Sequence, residues 1–470
     1  MTPAPTSSQT HRTTVDFLRP TYHFTPLANW MNDPNGVIQW RGLYHFFYQH
    51  NPLEAVWGNM HWGHAVSPDL IHWEHFPIAL APTPGSPDER GCFSGCAVNN
   101  GLPTFIYTGV RGEKYEIQTQ CLAVSHDGLL TWEKDPRNPV LSEVPAVAGQ
   151  TSDFRDPFVW REGDIWYMVL GSRIKDVGGA VFLYRSPNLV DWEYLHPLIV
   201  GEQSRNGLFW ECPNFFPIGD KWVLLLSSNF GPYVQVLYII GTYENLHFTP
   251  LAEGILDYGM IYAPLSLLDD AGRRVLFGWV RETRPDAAMR EAGWSGAQSI
   301  PRILSLDAHH RLLTTPAPEL LAQRGEHYHL PSAAQHGDTL LPVEGWALDI
   351  EATIQFQPDG LYTLTVGCSA DGSEHTDIRY DAARRLLTVE SFQKGAVISR
   401  HEAAHPLDEN ESLTLRILLD GSVLEVIANQ RTSLTHRLYP ESRESSGLRL
   451  SYERAQIHTL DIWKMASIWH

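Results

Sequence analysis

The stretch Ser67-Pro-Asp-Leu-Ile-His-Trp73 decides the fold, because versions of it return along the chain at a nearly constant interval. It joins turn-forming residues to a terminal aromatic residue. Two close versions end at Trp132 and Trp192, and a weaker one, Thr242-Tyr-Glu-Asn-Leu-His-Phe248, ends at Phe248. The terminal aromatic residues are 59, 60 and 56 residues apart. A fixed period of this size indicates structural repeats.

Short apolar runs lie between these turn signatures, at residues 43–48, 104–107, 165–170 and 222–227. Their length, their aromatic and aliphatic side chains and the Gly, Pro and Asn residues around them are typical of β-strands. About four strands in each ~60-residue repeat match a β-propeller blade. The four visible repeats and the segment from about 258 to 312 together predict five blades.

The pattern changes after about residue 313. The stretch Thr314-Thr-Pro-Ala-Pro318 is typical of a linker, and alternating runs follow at 361–366, 386–389, 413–418, 423–427 and 448–451. Such alternation, with turns such as Asp420-Gly421, predicts a β-sandwich. The predicted fold is all-β, with a flexible N-terminal segment over 1–20, a five-bladed β-propeller over 21–315, a linker over 316–334 and a β-sandwich over 335–470.

Composition narrows the class of ligand. The net charge of −19 disfavours nucleic acid and anionic membranes as partners, whereas an uncharged ligand is compatible with it. The chain contains 16 Trp, 18 Tyr and 18 Phe, which suits turns pinned by Trp or platforms that stack on sugars. The five cysteines lack paired CxxC spacing, which favours free, buried thiols.

The N-terminal stretch lacks the charged and apolar regions of a secretory signal, and no run approaches the ~18 apolar residues of a membrane span. We therefore expect a soluble, cytoplasmic protein, or a secreted one if a signal has been removed. The sequence leaves its oligomeric state open.

An acidic residue beside a proline recurs at one place in the repeat. Asp33-Pro34, Asp156-Pro157 and Glu211-Cys-Pro213 precede the starts of the first, third and fourth turn signatures by 34, 30 and 31 residues. Each acid alone could serve a turn or an ion pair. Because the innermost strands of the blades line one channel, three acids in phase are instead expected to converge at one end of it.

The stretch Trp30-Met-Asn-Asp-Pro-Asn-Gly36 shows how the first acid is held. Pro34 pushes Asp33 towards extended backbone, and Asn35-Gly36 is a strong tight-turn pair. We therefore expect Asp33 at the end of a strand, on a stiff backbone.

Three carboxylates in an aromatic pocket suit cleavage of a glycosidic bond, which needs one carboxylic acid and one carboxylate. Asp33, beside polar Asn residues, is expected to stay ionised as the nucleophile. Glu211 lies among Trp210, Cys212 and Pro213, which are expected to raise its pKa and keep it protonated as the acid. Asp156 follows Arg155, whose charge is expected to keep Asp156 ionised so that it can hold sugar hydroxyls.

Seven ordered motifs between about residue 20 and 312 resemble glycoside hydrolase family 32, which contains invertases, inulinases, levanases and fructan exohydrolases. A C-terminal stretch, residues 420–429, is similar to the sandwich of that family. The motifs are Trp30-Met-Asn-Asp-Pro-Asn-Gly36, Phe46-Phe-Tyr-Gln-His-Asn-Pro52, Trp57-Gly-Asn-Met-His-Trp-Gly-His-Ala-Val-Ser67, Phe93-Ser-Gly95, Phe154-Arg-Asp-Pro157, Trp210-Glu-Cys-Pro213 and Trp294-Ser-Gly-Ala-Gln-Ser-Ile-Pro-Arg302.

The resemblance implies a propeller with a sandwich and a retaining β-fructosidase that releases terminal fructose from sucrose or fructans without a cofactor or a metal. It implies Asp33 as nucleophile, Glu211 as acid/base and Asp156 as the residue that stabilises the transition state. Tyr262 matches an aromatic residue beside the acid/base. The pocket residues that it implies for the terminal fructose are Asn32, Gln49, Trp57, Ser94 and Arg155.

Several alternatives stay open on the sequence. A fructosyltransferase would use the same covalent intermediate. A non-catalytic fructan-binding protein is less favoured, because all three acids are present. Asn214 replaces an Asp that is frequent in plant members, which leaves preference among sucrose, inulin and levan open. His61 and His64 could ligate a metal and Cys92 and Cys96 could be read as a zinc pair, although neither spacing favours it. Trp57 and Trp294 could pack between blades.

Overall fold

Each turn signature connects the third and fourth strands of one propeller blade. In the first, the carboxylate of Asp69 accepts hydrogen bonds from the backbone N–H groups of Ile71 (3.0 Å) and His72 (2.8 Å). Leu70 takes a left-handed conformation with φ of 71°, and the Trp73 indole donates to the Leu70 carbonyl at 3.0 Å. Asp and Asn side chains favour such turns because they bond to backbone two or three residues on. The signature therefore forms a turn that is stabilised by hydrogen bonds among its own residues.

The computed structural model describes residues 16–149, 152–230 and 234–469. The first two blades comprise β1 (Asn29–Trp40), β2 (Leu43–Asn51), β3 (His61–Ser67) and β4 (Glu74–Leu80), then β5 (Gly91–Asn99), β6 (Pro103–Arg111), β7 (Ile117–Val124) and β8 (Glu133–Lys134). The next two comprise β9 (Phe154–Glu162), β10 (Ile165–Ile174), β11 (Gly178–Ser186) and β12 (Glu193–Val200), then β13 (Phe209–Ile218), β14 (Lys221–Asn229), β15 (Val234–Glu244) and β16 (His247–Asp257). In each blade, neighbouring strands are antiparallel and the first strand is innermost.

The fifth blade closes the ring. It contains β17 (Ile261–Leu268) and β18 (Arg274–Val280), followed by β19 (Trp294–Ser295), β20 (Ala297–Gln298), β21 (Arg302–Leu306) and β22 (Leu312–Pro316). The short strand β19 leaves this blade and pairs in parallel with β1 of the first. The side chain of Gln298 donates to the Asn32 carbonyl at 2.6 Å. The five-bladed propeller predicted from the repeat is confirmed.

The sandwich consists of β23 (Arg324–Leu330), β24 (Ala333–Glu344), β25 (Ala347–Cys368), β26 (Glu374–Asp381), β27 (Leu386–Gln393), β28 (Ala396–Ala404), β29 (Leu413–Asp420), β30 (Val423–Ala428), β31 (Thr432–Arg437) and β32 (Gly447–Met465). The long strand β25 pairs with β29 along its first half and with β26 along its second, so it serves both layers. Alternating apolar side chains such as Ile350, Leu364 and Leu450 fill the core between the layers. The predicted sandwich is confirmed.

Helices are few. They are α1 (Gln203–Asn206), α2 (Asp286–Ala292) and two 3-10 turns, Ala146–Ala148 and Pro318–Gln323. Within the described ranges, neither α-helix has the length or the apolar character needed to cross a membrane.

The linker predicted over 316–334 differs from the structure. Residues Pro318–Gln323 form a 3-10 turn, and Arg324–Leu330 form β23, which pairs with β32 of the sandwich. The Arg324 guanidinium bonds to the buried Asp349 at 2.7 Å, which fixes β23 to the sandwich. The polar composition of this segment concealed a strand, because β23 lies at the edge of the sheet and keeps much of its surface exposed.

The flexible segment predicted over 1–20 lies mostly outside the described residues, but residues 16–20 are fixed. The indole N–H of Trp294 donates to the carboxylate of Asp16 at 2.8 Å, and the Leu18 carbonyl accepts from the Ser422 N–H at 2.8 Å. Residues 16–20 therefore contact both the propeller and the sandwich.

A buried ionic cluster joins the propeller to the sandwich. The guanidinium of Arg302 contacts Glu425 at 2.7 Å and Asp257 at 3.3 Å. His23 contacts Asp420 at 2.9 Å through Nδ1 and Glu425 at 3.2 Å through Nε2. These five side chains are at most 1% exposed. Removal of one partner from such a cluster leaves another charge buried without compensation.

We predict that His23 makes stability depend on pH. Burial alone would lower its pKa, but the hydrogen bonds to Asp420 and Glu425 outweigh burial and raise the pKa to about 9. The folded pKa lies above the unfolded one of ~6.5, so this stabilisation is complete below pH 6.5 and is lost as pH rises through 9. Urea unfolding of the wild type should therefore lose on the order of 3 kcal/mol across this window through His23.

The variant His23→Gln should be less stable at pH 6.5 and should lack this part of the decline. The exposed His327, which pairs with Asp461, offers a matched control, and His327→Gln should keep the wild-type slope. Parallel stability profiles for wild type and His23→Gln between pH 6.5 and 9 would contradict the assignment.

Candidate active site

All five innermost strands are irregular at the same level of the channel. The ladder register shifts between Met31 and Pro34 in β1, Phe93 and Gly95 in β5, Arg155 and Phe158 in β9, Glu211 and Asn214 in β13, and Tyr262 and Leu265 in β17. β-Bulges of this kind bend a strand and re-aim its side chains. One bulge in each blade therefore directs one set of side chains into the same end of the channel.

The prolines of the acid motifs belong to these bulges. Pro34, Pro157, Pro213 and Pro264 each lie at or beside a register shift, where a missing backbone N–H does not break the ladder. In three of the blades the residue before the proline has a left-handed backbone: φ is 63° at Asp156, 49° at Cys212 and 48° at Ala263. In this sequence, an acid near a proline therefore marks the position of a β-bulge.

Asp33 itself departs from the strand-end prediction. It lies inside β1, which continues through Asn35-Gly36 by a second register shift rather than by a tight turn.

The bulged residues enclose a cavity of about 400 Å³. Its described lining contains every site residue predicted from the sequence: Asn32, Asp33, Gln49, Trp57, Ser94, Arg155, Asp156, Glu211 and Tyr262. The lining also contains residues that the motifs did not assign: Met60, Phe93, Lys114, Tyr115, Gln118, Ser152, Asp153, Cys212 and Trp279. The predicted convergence of the three acids is therefore observed in the structure.

Asp33 is held by one donor on each carboxylate oxygen. The Asn32 amide donates to Oδ1 at 2.9 Å and the Ser94 hydroxyl donates to Oδ2 at 2.6 Å. Asn32 is in turn oriented by the indole N–H of Trp30, which donates to its Oδ1 at 2.6 Å. Asp33 is therefore positioned by two blades and has little rotational freedom.

Glu211 is fixed by a cation and a phenol. Arg155 donates to Oε1 through Nη2 at 2.9 Å and through Nε at 3.2 Å, and the Tyr262 hydroxyl donates to Oε2 at 2.5 Å. The same guanidinium donates to Asp153 at 3.0 Å and to Gln118 at 3.2 Å. This differs from the predicted apolar surroundings, because the side chains of Arg155 and Tyr262 arrive from neighbouring blades.

Asp156 lies between Thr108 and Cys212. Its backbone N–H donates to the Thr108 hydroxyl at 2.9 Å, and its Oδ2 accepts from the Cys212 N–H at 3.0 Å. The Cys212 thiol lies 3.5 Å from Asp156 Oδ2 and 3.8 Å from Asp33 Oδ2. A single thiol thus touches two of the three acids.

Burial changes the acidity of this cluster. It raises the pKa of Asp33 to about 6, although the hydrogen bonds from Ser94 and Asn32 act against it. It raises the pKa of Asp156 to about 7 despite Arg155. Arg155 turns its donors towards Glu211, and its Nε stays 4.0 Å from Asp156. The prediction that Arg155 and the Asn neighbours set these two ionisation states was wrong, since desolvation outweighs both.

Trp210 anchors the strand that carries Glu211. Trp210 is 1% exposed; two glycines lie against its ring and a third lies against its backbone carbonyl. A Cβ at Gly179 would lie 2.4 Å from Cδ1 of Trp210, a Cβ at Gly201 would lie 2.3 Å from Cζ2, and a Cβ at Gly171 would lie 2.5 Å from the Trp210 carbonyl oxygen. Gly171 of β10, Gly179 of β11 and Gly201, directly after β12, therefore form the slot that sets the depth of Glu211.

An aromatic wall borders the mouth of the cavity. Trp57, which is 46% exposed, meets Tyr115 edge-on at 5.3 Å and Phe93 at 6.2 Å. Tyr115 has φ of 58°, an unfavourable conformation for an aromatic residue. Its neighbour Lys114 is exposed. Trp57 and Phe93 lie in the quoted motifs, but Tyr115 and Lys114 were not predicted, because no quoted motif covers their loop.

The remaining candidates have other roles. Trp294 is buried and bonds to Asp16, and Asn214 is buried between the Cys212 and Pro264 carbonyls, where it ties β13 to β17. His61 bonds to the Asn59 carbonyl whereas His64 stacks on Phe47, and residues three apart in a strand face opposite sides. All five cysteines are free thiols, as predicted.

Comparison with known proteins identifies the family of this chain. The sequence profile described as the glycosyl hydrolases family 32 N-terminal domain matches residues 23–316, and the family 32 C-terminal profile matches residues 319–464. The chain belongs to glycosyl hydrolase family 32. It is a glycoside hydrolase of the β-fructofuranosidase type.

Individual relatives span nearly the whole chain. A sucrose-6-phosphate hydrolase from Zymomonas mobilis is 35% identical over 472 residues, with 92% of this chain and 89% of the relative covered. A raffinose invertase from Escherichia coli is 35% identical, with 90% of each chain covered. The crystal structure of fructan 1-exohydrolase IIa from Cichorium intybus superposes with a TM-score of 0.85 at 28% identity, covering 96% of this chain and 98% of that one.

Proposed function

We propose that this family 32 enzyme releases terminal fructose from sucrose or fructans by a retaining double displacement, with Asp33 as nucleophile and Glu211 as acid/base. The observation that carries this proposal is the geometry of the cavity. Two separately held carboxyls from β1 and β13 face one space, and a third from β9 lines the same cavity and shares the Cys212 thiol with Asp33.

In the first step, an oxygen of Asp33 attacks the anomeric carbon of the fructosyl unit. The bond from that carbon to the leaving-group oxygen breaks, and this oxygen takes the proton of Glu211. A fructosyl ester of Asp33 results. The hydrogen bonds from Asn32 and Ser94 keep the attacking carboxylate on one trajectory, which is the contribution of positioning.

In the second step, Glu211 removes a proton from water, and the water oxygen attacks the same carbon. The ester bond breaks, fructose leaves, and Asp33 and Glu211 return to their first ionisation states. Tyr262 and Arg155 hold Glu211 in one orientation through both steps because each contacts a different oxygen.

The proton for the first step is available because several acids are buried together in the cavity. Asp153, Asp156 and Glu211 contact the buried guanidinium of Arg155, whereas Asp33 lines the same cavity without an ion pair to it. Desolvation, with a smaller contribution from the neighbouring carboxylates, raises the pKa values of Asp33 and Asp156 towards neutrality. The cluster as a unit can therefore keep one carboxyl protonated while another is ionised.

Asp156 suits a binding role. Its Oδ2 is occupied by Cys212, whereas its Oδ1 has no hydrogen-bond acceptor or donor partner among the described residues and belongs to the cavity lining. A carboxylate oxygen left open in this way can accept from sugar hydroxyls, and such bonds strengthen as charge develops in the transition state.

The two central roles predict different responses to the leaving group. On sucrose, Asp33→Ala and Glu211→Ala should each lower kcat by about 10²–10⁴-fold or more, with the fold retained by circular dichroism. An aryl fructoside, whose leaving group needs no proton, should restore much of the first-step rate to Glu211→Ala but not to Asp33→Ala. Asp359, an exposed acid of the sandwich, gives the control Asp359→Asn, which should behave as wild type. Equal responses of the two variants to the aryl fructoside would contradict the roles assigned to Asp33 and Glu211.

A second prediction concerns pH. Because the pKa of Asp33 is about 6, the carboxylate is lost as pH falls through 6, and the acidic limb of kcat/KM should lie there. Ser94→Ala removes a bond that favours the ionised form, so the limb should move to higher pH, and the plateau of kcat/KM should also fall because Asp33 loses a positioning hydrogen bond. The exposed Ser305 supplies the control Ser305→Ala. An acidic limb that stays in place in Ser94→Ala would argue against Asp33 as the titrating nucleophile.

A further inference from the structure

The five innermost strands line a second cavity at the opposite end of the channel. Their N-terminal halves carry the catalytic pocket, and their C-terminal halves, from Val37, Cys96, Phe158, Phe215 and Leu265 onward, enclose about 390 Å³. With a rise of ~3.3 Å per residue, the four residues from Asp33 to Val37 separate the linings of the two cavities by on the order of 13 Å along β1. The second cavity is therefore separate from the catalytic carboxyls.

The charge of this cavity is opposite to that of the chain. Its described lining contains Arg161 and Arg274 and no Asp or Glu, although the whole chain carries a net charge of −19. The remaining wall is mostly apolar and aromatic, with Val98, Trp160 and Phe216 among its residues. A volume of this size lies in the range of small-molecule sites, which are largely apolar with a few polar groups.

Arg274 is a largely buried cation without a counter-ion. Its guanidinium carbon lies 4.4 Å from the centre of the Phe216 ring, and its Nε is buried without a hydrogen-bond partner. No carboxylate in the described part of the chain pairs with it. The neighbouring Arg273, by contrast, pairs with Asp269 at 2.7 Å and with Glu319 at 2.7 Å. Arg161 pairs with Asp164 at 3.5 Å.

A buried guanidinium is costly unless an anion accepts its hydrogen bonds. Burial lowers the pKa of Arg274 only to about 10, so the group stays charged at neutral pH. The fixed donors of arginine match the planar or tetrahedral oxyanions of carboxylates and phosphates. The aromatic walls offer a surface for a flat or apolar body.

We propose that this distal cavity is a binding site for a small organic oxyanion, a carboxylate or phosphate on an apolar or aromatic body, and that Arg274 is its principal partner. The anion would supply the counter-charge for Arg274 that no described carboxylate provides. This inference is independent of the catalytic roles proposed above.

The test uses the full chain and three related probes at constant ionic strength: phenyl phosphate, benzoate and the uncharged benzyl alcohol. Isothermal titration calorimetry should detect binding of at least one oxyanion to the wild type, with benzyl alcohol at least ~10-fold weaker. The phosphate and carboxylate arms identify which oxyanion the site prefers. Thermal unfolding should show a higher Tm with the bound oxyanion.

Arg274→Met should weaken oxyanion binding by ~10-fold or more and should keep sucrose hydrolysis within about twofold of wild type. The exposed Arg379 of β26 gives the control Arg379→Met, which should bind as wild type. If Arg274→Met does not fold, Gln39→Glu provides a second variant. It places a carboxylate in the cavity lining while keeping the oxygen that accepts from the Asp270 N–H, and it should weaken binding in the same direction.

Two results would overturn the proposal. One is that neither oxyanion binds the wild type more tightly than benzyl alcohol does. The other is that an oxyanion binds but keeps its affinity in Arg274→Met and Gln39→Glu, which would place it elsewhere, for example on Arg155.

Discussion

The structure depends on one backbone constraint: the innermost strand of every blade is bulged at the same level of the channel. A regular strand would alternate its side chains between the two faces of its blade and would send few of them along the axis. The bulges turn Asp33, Ser94, Asp156, Glu211 and Tyr262 towards one space. The rest of each blade, from the glycine slot around Trp210 to the Trp-capped corners, holds these irregular segments in place.

A second consequence is electrostatic. Burying acids from three blades in one pocket raises the pKa of Asp33 and Asp156, and among the described residues Arg155 pairs with Asp156 and Glu211 but not with Asp33. The incomplete compensation gives a site that holds a proton near neutrality, which acid/base chemistry requires. The opposite end of the channel shows the reverse imbalance, a guanidinium without an acid. The five innermost strands line both ends of the axis, and Arg274 at the start of β18 supplies the guanidinium of the distal end.

The sequence predicted the features that depend only on residues close together along the chain. The Ser-to-Trp corners are made within seven or eight residues, so their period revealed the five blades, and the acid–proline pairs marked the bulges. Features that depend on contacts between blades were not visible. The partner of Arg155 is 56 residues away in Glu211, and the solvent exclusion that governs Asp156 comes from the assembled channel. The edge strand β23 was missed because its polar residues suit a linker equally well.

The central claim is that Asp33 forms a covalent bond to the fructosyl unit, so that two displacements occur at one carbon. The most direct measurement is the configuration of the first fructose released from sucrose, followed by proton NMR before mutarotation. The first product should keep the β configuration, because each of the two displacements inverts the anomeric carbon once. A first product of inverted configuration would show a single displacement by water and would contradict the role given to Asp33.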